Sequence, residues 1–302
     1  MPEISIVLPT YNRPHLLPVA IESILNQSYR DLELIVINNG SGPETGRVLD
    51  TYSSDPRLRV ITLTDNIGFA RASNLGFDAI RGRWFSLMSD DDHLLPEALE
   101  KLIAVPHQLD ASVNAVSCNC MSIHNGKFTG KGLTQSDYLQ PKDVIEAARG
   151  EFWGITRTDL LGDLRFNPNV SDDVNHLWYQ IDLVARRYYL HQGLKYYDDG
   201  VGGRVSSPSR FRMPKQRARH YRYLRQEEAY WQILREYAPA KFKSKVLKAC
   251  IVLELVNDQE SLQAYQAMLE DTPLHLREQI MMGVFRTLPR RMAYSLFSAM
   301  PA

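Results

Sequence analysis

The sequence predicts an α/β chain: a mostly parallel sheet with helices on both faces, followed by a helical C-terminal region. Three observations carry that prediction. Short apolar runs rich in β-branched residues alternate with helical patterns between Ile4 and Ile123, a rhythm that buries strands on both faces of a parallel sheet. Polar clusters recur where the runs end: Pro9-Thr10-Tyr11-Asn12, Asn38-Asn39-Gly40-Ser41, Asp65-Asn66-Ile67-Gly68 and Ser89-Asp90-Asp91-Asp92. Beyond Pro214 the strand signal stops and helical spacing continues toward the C-terminus.

The elements follow in order. Ile4 to Pro9 reads as a strand, and Pro14 to Gln27 as a helix with Leu17, Ala20, Ile21, Ile24 and Leu25 on one face. Leu32 to Ile37 is the second strand, Glu44 to Tyr52 a helix and Leu58 to Leu63 the third strand. Phe69 to Ile80 is helical, Arg83 to Met88 is the fourth strand, and Pro96 opens a helix that runs to Val105. Val113 to Ile123 is a further strand, closed by the turn His124-Asn125-Gly126. Pro141 to Arg149 and Asp173 to Arg187 read as helices, and Gly193 leads a short strand into the glycine-rich loop from Gly200 to Gly203. Helices over Tyr221 to Tyr237, Lys241 to Val256, Ser261 to Leu269 and Leu274 to Leu288 complete the chain. A boundary near Pro214 separates residues 1–213 from residues 214–302.

Composition narrows the function. The 302 residues carry zero formal net charge, so no global field favours nucleic acid. Three cysteines, Cys118, Cys120 and Cys250, argue against a disulfide framework and fit a reducing cytoplasm; Cys118 and Cys120 read as buried structural thiols. The N-terminus lacks a basic segment followed by a long apolar core, and no stretch reaches the ~20 apolar residues of a membrane span. The expected location is cytoplasmic, with peripheral attachment to the inner face of the cell membrane left open.

Parallel sheets bind ligands outside the carboxyl ends of their strands, and the polar clusters lie there. Three adjacent acids, Asp90, Asp91 and Asp92, repel one another. A solvated turn would tolerate them; a divalent cation would require them. Hard carboxylate oxygens select Mg2+ or Mn2+, and an ion held by one or two carboxylates keeps positions open for a diphosphate.

Five motifs in order make the chain resemble a family 2 inverting glycosyltransferase of the GT-A fold. They are Pro9-Thr10-Tyr11-Asn12-Arg13, Ser23-Ile24-Leu25-Asn26-Gln27-Ser28-Tyr29, Asn38-Asn39-Gly40-Ser41, Asn66-Ile67-Gly68-Phe69-Ala70 through Asn74-Leu75-Gly76, and Asp91-Asp92-His93-Leu94-Leu95-Pro96. The Asn-Ile-Gly-Phe-Ala form is similar to the branch with rhamnosyl- and galactofuranosyltransferases. The resemblance implies inverting transfer of a sugar from a UDP-, dTDP- or GDP-linked donor to a glycan or lipid-linked acceptor, in surface polysaccharide, lipopolysaccharide or glycan biosynthesis. It assigns Pro9, Thr10, Tyr11, Arg13, Asn38, Asn39, Asn66, Ser89, Asp90 and Asp91 to the nucleotide-sugar and Asp91 to Mn2+ or Mg2+; Arg71, near the diphosphate rim, suits a phosphate contact or a surface salt bridge. It puts Asp92 and Trp153 at the acceptor and sugar pocket, with core packing the equal alternative for Trp153. Asp172 and Asp173 are the candidate general bases, with Asp173 favoured; Ser171, Asp172 and Asp173 would also serve as helix caps.

The departures from the family pattern are specific. Asn38 stands where the family has Asp, although an amide oxygen still accepts from a pyrimidine N3–H. Ser89 stands at the first carboxylate of the DxD element, which then reads Ser89-Asp90-Asp91; sliding the frame by one gives Asp90-Asp91-Asp92. The late loop reads Arg204-Val205-Ser206, without the family's histidine. A catalytically impaired nucleotide-sugar-binding module is therefore the alternative. The basic stretch from Arg204 to Arg225 suits a diphosphate, an anionic lipid surface or a solvated face. The arginine- and aromatic-rich segment from Phe285 to Phe297 suits packing on the catalytic domain, a homodimer contact or a bilayer face.

Overall fold

The computed structural model describes residues 1–170, 174–198, 200, 214–270 and 283. The expected helix over Leu274 to Leu288 lies outside these residues apart from Gly283. So do Asp172, Asp173 and the arginines from Arg204 to Arg212.

In chain order the elements are β1 (Ile4–Thr10), α1 (Leu17–Leu25), β2 (Leu32–Asn38), α2 (Pro43–Asp50), β3 (Leu58–Thr62), α3 (Phe69–Asp78), β4 (Trp84–Leu87), β5 (His93–Leu94), α4 (Ala98–Ala104), β6 (Ala115–Ser122), β7 (Asp137–Leu139), β8 (Phe152–Arg157), α5 (Asn175–Val184) and β9 (Arg187–Tyr197). Four more helices follow: α6 (Pro214–Leu224), α7 (Glu228–Tyr237), α8 (Pro239–Leu255) and α9 (Gln259–Ala267). The strands form one sheet in the order β3-β2-β1-β4-β8-β6-β9-β5, with β7 also on β9. Strands β3, β2, β1 and β4 pair in parallel, and β6 pairs in parallel with β9. Strand β8 runs antiparallel to both β4 and β6, which puts β6 and β9 in the same direction as β1. Six of the nine described strands therefore share one direction, with β5, β7 and β8 reversed.

Every residue of β1 and β2 is buried. Apolar side chains on both faces of these strands demand cover on both sides, and α1 supplies one cover with Leu17, Ala20, Ile21, Ile24 and Leu25 all buried. The core cluster joins Ile4, Ile6, Leu8, Leu34 and Val36 to these helical residues and to Leu99, Leu102, Val116 and Ile155. Cys118 and Cys120 are free and buried, and burial pushes the Cys118 thiol up to about 12.

Several local expectations change. Residues 141–149 form only one turn, at Asp143–Ala147, because Lys131 and Arg149 pair through both main-chain bonds and draw the chain out of helix. Helix α5 stops at Val184 because the Arg186 N–H donates to Asn114 Oδ1 at 2.7 Å and Arg187 pairs with Ala115 to begin β9. Strand β8 and the two short strands β5 and β7 are additions to the sequence expectation. The single helix expected from Tyr221 to Tyr237 is broken between Leu224 and Glu228, where Trp231 Nε1 donates to the Leu224 carbonyl at 2.8 Å and satisfies a helix-end acceptor.

Contacts along the chain define two compact units, Met1–Pro168 with Leu177–Val201, and Asn169–His176 with Gly202–Ala302. The first holds the sheet. The second packs helices α6 to α9 around Trp231, whose ring lies 6.0 Å from Phe242 and 5.5 Å from Tyr265. Among the described residues no helix is long and apolar enough to cross a membrane.

The end of β2 approaches the loop after β3 closely. Gly40 has φ +70°, and a Cβ there would lie 2.3 Å from the Asp65 carbonyl carbon. Gly40→Ala should destabilise the chain by about 1–3 kcal/mol through left-handed strain and overpacking. Gly46, inside α2, has nothing within 4 Å of such a Cβ, and Gly46→Ala should stabilise by about 0.5–1 kcal/mol. Urea denaturation of the two variants checks the opposite signs.

Candidate active site

Strands β1, β2, β3 and β4 end at one edge, and the polar clusters meet there. Thr10 closes β1, and its hydroxyl donates to Asp90 Oδ2 at 2.6 Å. Arg13, in the following loop, donates to Asp90 Oδ1 at 2.9 Å and to Asp91 Oδ2 at 2.7 Å. The loops after β1 and β2 are tied together by three bonds: Asn39 N–H to the Thr10 carbonyl at 3.0 Å, Asn12 N–H to Ser41 Oγ at 3.0 Å, and Gly42 N–H to Asn12 Oδ1 at 2.8 Å. Asn39 extends the rim, donating to Asn66 Oδ1 at 3.1 Å and accepting from the Ile67 N–H at 2.9 Å. Asn66 Oδ1 also accepts from the Gly68 N–H, at the start of α3.

Most of the expected nucleotide-sugar residues therefore share one hydrogen-bonded rim: Thr10, Arg13, Asn38, Asn39, Asn66, Asp90 and Asp91. Pro9 is buried in β1 opposite Ile37, and Tyr11 is exposed just beyond it. Asn38 is 3% exposed and its Oδ1 accepts from the Ser41 N–H at 3.3 Å. Arg71 is exposed in the first turn of α3, and Ser89 is exposed at the end of β4. Trp153 sits within the core, its Nε1 donating to the Leu87 carbonyl at 3.1 Å and bracing β4 just before the acidic turn. Asp172 and Asp173 lie outside the described residues.

The three acids have different surroundings. Burial raises the Asp90 carboxyl above the usual range, against the downward pull of Thr10 and Arg13. Burial lowers the Arg13 guanidinium, but Asp90 and Asp91 outweigh it and hold the group above its ordinary value. Asp92 is turned away from Arg13: its Oδ2 lies 2.7 Å from Lys195 Nζ, and its Oδ1 accepts from the Asp198 N–H at 3.2 Å. Burial pushes the Asp92 carboxyl up to about 6 even though Lys195 pulls it down. Beside the turn, His93 stacks on Tyr196 at 4.8 Å, and burial lowers its imidazole.

Lys195 and Glu151, the partners behind the turn, carried no expectation from the sequence. A lysine set among Leu194, Tyr196 and Tyr197 was the available signal, because a buried ammonium needs a counter-charge.

A divalent cation is compatible with this donor set. Thr10 and Arg13 engage both Asp90 oxygens and one Asp91 oxygen, while Asp91 Oδ1 makes no hydrogen bond among the described residues. No cluster of three or more metal-ligating side chains occurs among the described residues. One or two hard carboxylate oxygens plus a diphosphate nonetheless suit Mg2+ or Mn2+, which retain water and phosphate ligands.

Open α/β sheets bind their ligands outside the carboxyl ends of the strands, where this polar rim lies. Residues 5–163 match Glycosyl transferase family 2, and the chain belongs to that family. It is 32% identical over 204 residues to the GalNAc(5)-diNAcBac-PP-undecaprenol beta-1,3-glucosyltransferase of Campylobacter jejuni, a match covering 65% of each chain. It is 26% identical over 211 residues to the uncharacterized glycosyltransferase EpsJ of Bacillus subtilis, covering 69% of this chain and 55% of that one. The chain thus spans about two thirds or less of the length of these relatives. Among solved structures, S. aureus TarS 1–349 in complex with UDP-GlcNAc superposes with a TM-score of 0.69 at 18% identity, covering 98% of this chain and 89% of that one. The mannosyltransferase PcManGT from Pyrobaculum calidifontis, in complex with GDP-Man and Mn2+, superposes at 0.54 with 19% identity, covering 99% of this chain and 86% of that one. These likenesses bear on the fold, which is GT-A.

Arg13→Ala would leave the Asp90 and Asp91 carboxylates facing each other without their guanidinium. The variant should lose about 1–3 kcal/mol of stability and regain more on Mn2+ addition than the wild-type chain gains. Thermal melting with and without Mn2+ checks the difference.

Proposed function

We propose that this chain transfers a sugar from a nucleotide-diphosphate donor to an acceptor hydroxyl with inversion at the anomeric carbon. The observation that carries this reading is the rim itself. Asp91, one oxygen of which makes no hydrogen bond among the described residues, is joined through Arg13, Asp90 and Thr10 to the Asn38 and Asn39 cluster that would take the nucleoside.

Asn38 and Asn39 would offer amide acceptors and donors to the nucleobase, and Asp90 or Ser89 would approach the ribose or its phosphate. Asp91 would hold Mn2+ or Mg2+, whose chemistry when bound is to offset the charge that grows on the departing diphosphate. Arg13 and Arg71 are guanidiniums available to phosphate oxygens. Asp173 takes the proton from the acceptor hydroxyl. The acceptor oxygen then bonds to the anomeric carbon, the carbon–phosphate-oxygen bond breaks, and the nucleoside diphosphate leaves with the electron pair. Residues 1–213 would carry this chemistry, and residues 214–302 would serve packing, dimerisation or contact with a membrane surface. The Campylobacter jejuni relative is named for a lipid-linked substrate, which favours a lipid-linked or growing-glycan acceptor here and a place at the inner face of the membrane.

Calorimetry with UDP-, dTDP- and GDP-sugars, with Mn2+ or EDTA, together with a transfer assay, tests the reading. Asp91→Ala is expected to abolish metal-dependent donor binding and turnover. Asp173→Asn should keep donor affinity while kcat falls by about 10²–10⁴-fold, the usual contribution of a general base. Normal turnover in either variant rejects the role given to that residue. Tight donor binding by the wild-type chain without hydrolysis or transfer would instead identify a binding module.

A further inference from the structure

The acidic turn is clamped from two sides. Thr10 and Arg13 hold Asp90 and Asp91 from the β1 side. Lys195, on β9, holds Asp92 from the other side across 103 residues of sequence. Lys195 is 2% exposed, and its Nζ lies 2.7 Å from Asp92 Oδ2 and 3.3 Å from Glu151 Oε1. The Asp198 N–H takes the second Asp92 oxygen, so both are committed to β9 and the residue just after it. The main chain reinforces the clamp: His93 and Leu94 pair with Tyr196 and Lys195, and the Leu95 N–H donates to the Leu194 carbonyl at 3.0 Å.

A buried ion pair is a poor device for stability, because the desolvation of two charges offsets most of their attraction; an apolar pair of similar volume packs as well or better. What the pair supplies is direction. A charge-assisted bond fixes the third acid in one orientation, and the residue next to it in the chain is Asp91, which Arg13 holds from the other side. We infer that Lys195 is a positioning residue that acts through Asp92 to hold the backbone of the acidic turn, so that Asp91 meets the metal–diphosphate in a single geometry. Asp92 accordingly belongs to this support and not to the sugar pocket. Glu151, whose side chain is 40% exposed, is screened by solvent and is the dispensable partner. The inference rests on the Asp91 role under Proposed function.

The test is calorimetric titration of the full chain with Mn2+ and inorganic pyrophosphate, a probe that needs no knowledge of the nucleobase, alongside thermal melting. Lys195→Met leaves Asp92 buried without its counter-charge and is expected to melt lower. The double variant Asp92→Asn/Lys195→Met removes both charges and should recover the melt. It should still bind Mn2+–pyrophosphate about 10–100-fold more weakly than the wild-type chain, the usual cost of losing a support behind a metal ligand. Asp92→Asn alone leaves Lys195 its Glu151 partner, so it does not depend on the double variant folding, and it should show the same weakening. Glu151→Gln should bind within about twofold of wild type. Wild-type affinity in a folded double variant, or in Asp92→Asn, overturns the positioning role and leaves the Asp91 reading standing. A wild-type chain that fails to bind Mn2+–pyrophosphate removes the Asp91 reading and this inference with it.

Discussion

Complete burial of β1 and β2 is the constraint from which the rest of the structure follows. A strand with apolar residues on both faces cannot border water, so helices must cover it above and below. Along β1 and β2 the polar side chains lie near the two ends, Ser5 and Glu33 where the strands begin and Thr10 and Asn38 where they stop. Thr10, Asn38 and the acids after β4 thereby share an edge although they are far apart in sequence. The hydrogen bonds from Asn39 to Thr10 and from Asn12 to Ser41 tie that shared edge into one rim.

Charge compensation shapes the acidic turn. Three neighbouring carboxylates would repel one another if left in place unaided. Each finds a partner from a different part of the fold: Thr10 and Arg13 for Asp90, Arg13 for Asp91, and Lys195 with the Asp198 N–H for Asp92. The partners differ in burial. Asp92 and Lys195 are almost fully enclosed, where exchange of partners is costly, whereas Arg13 retains 21% side-chain exposure.

The parallel half of the sheet and its rim were legible because their signals are local. A β-branched run reports a buried strand, and Pro-Thr-Tyr-Asn or Asn-Asn-Gly-Ser reports where it ends. The region from Met121 to Tyr197 was less legible. There the pairing of Lys131 with Arg149 overrides a helical pattern, and Asn114 captures Arg186 and ends α5 three residues before the expected Arg187. Both effects come from partners 18 to 72 residues away, which no local period can report.

By itself, the sequence determined the alternation of strand and helix, the edge at which the polar clusters gather, and the family to which the chain belongs. These follow from periodicity and from short motifs whose residues act on their immediate neighbours. Tertiary structure alone decided which partner each acid receives. Asp90, Asp91 and Asp92 are equivalent as letters, and they become different groups only when Arg13 approaches from β1 and Lys195 from β9. Electrostatic identity in a folded chain depends on distance and burial, and both are set by contacts between residues remote in sequence.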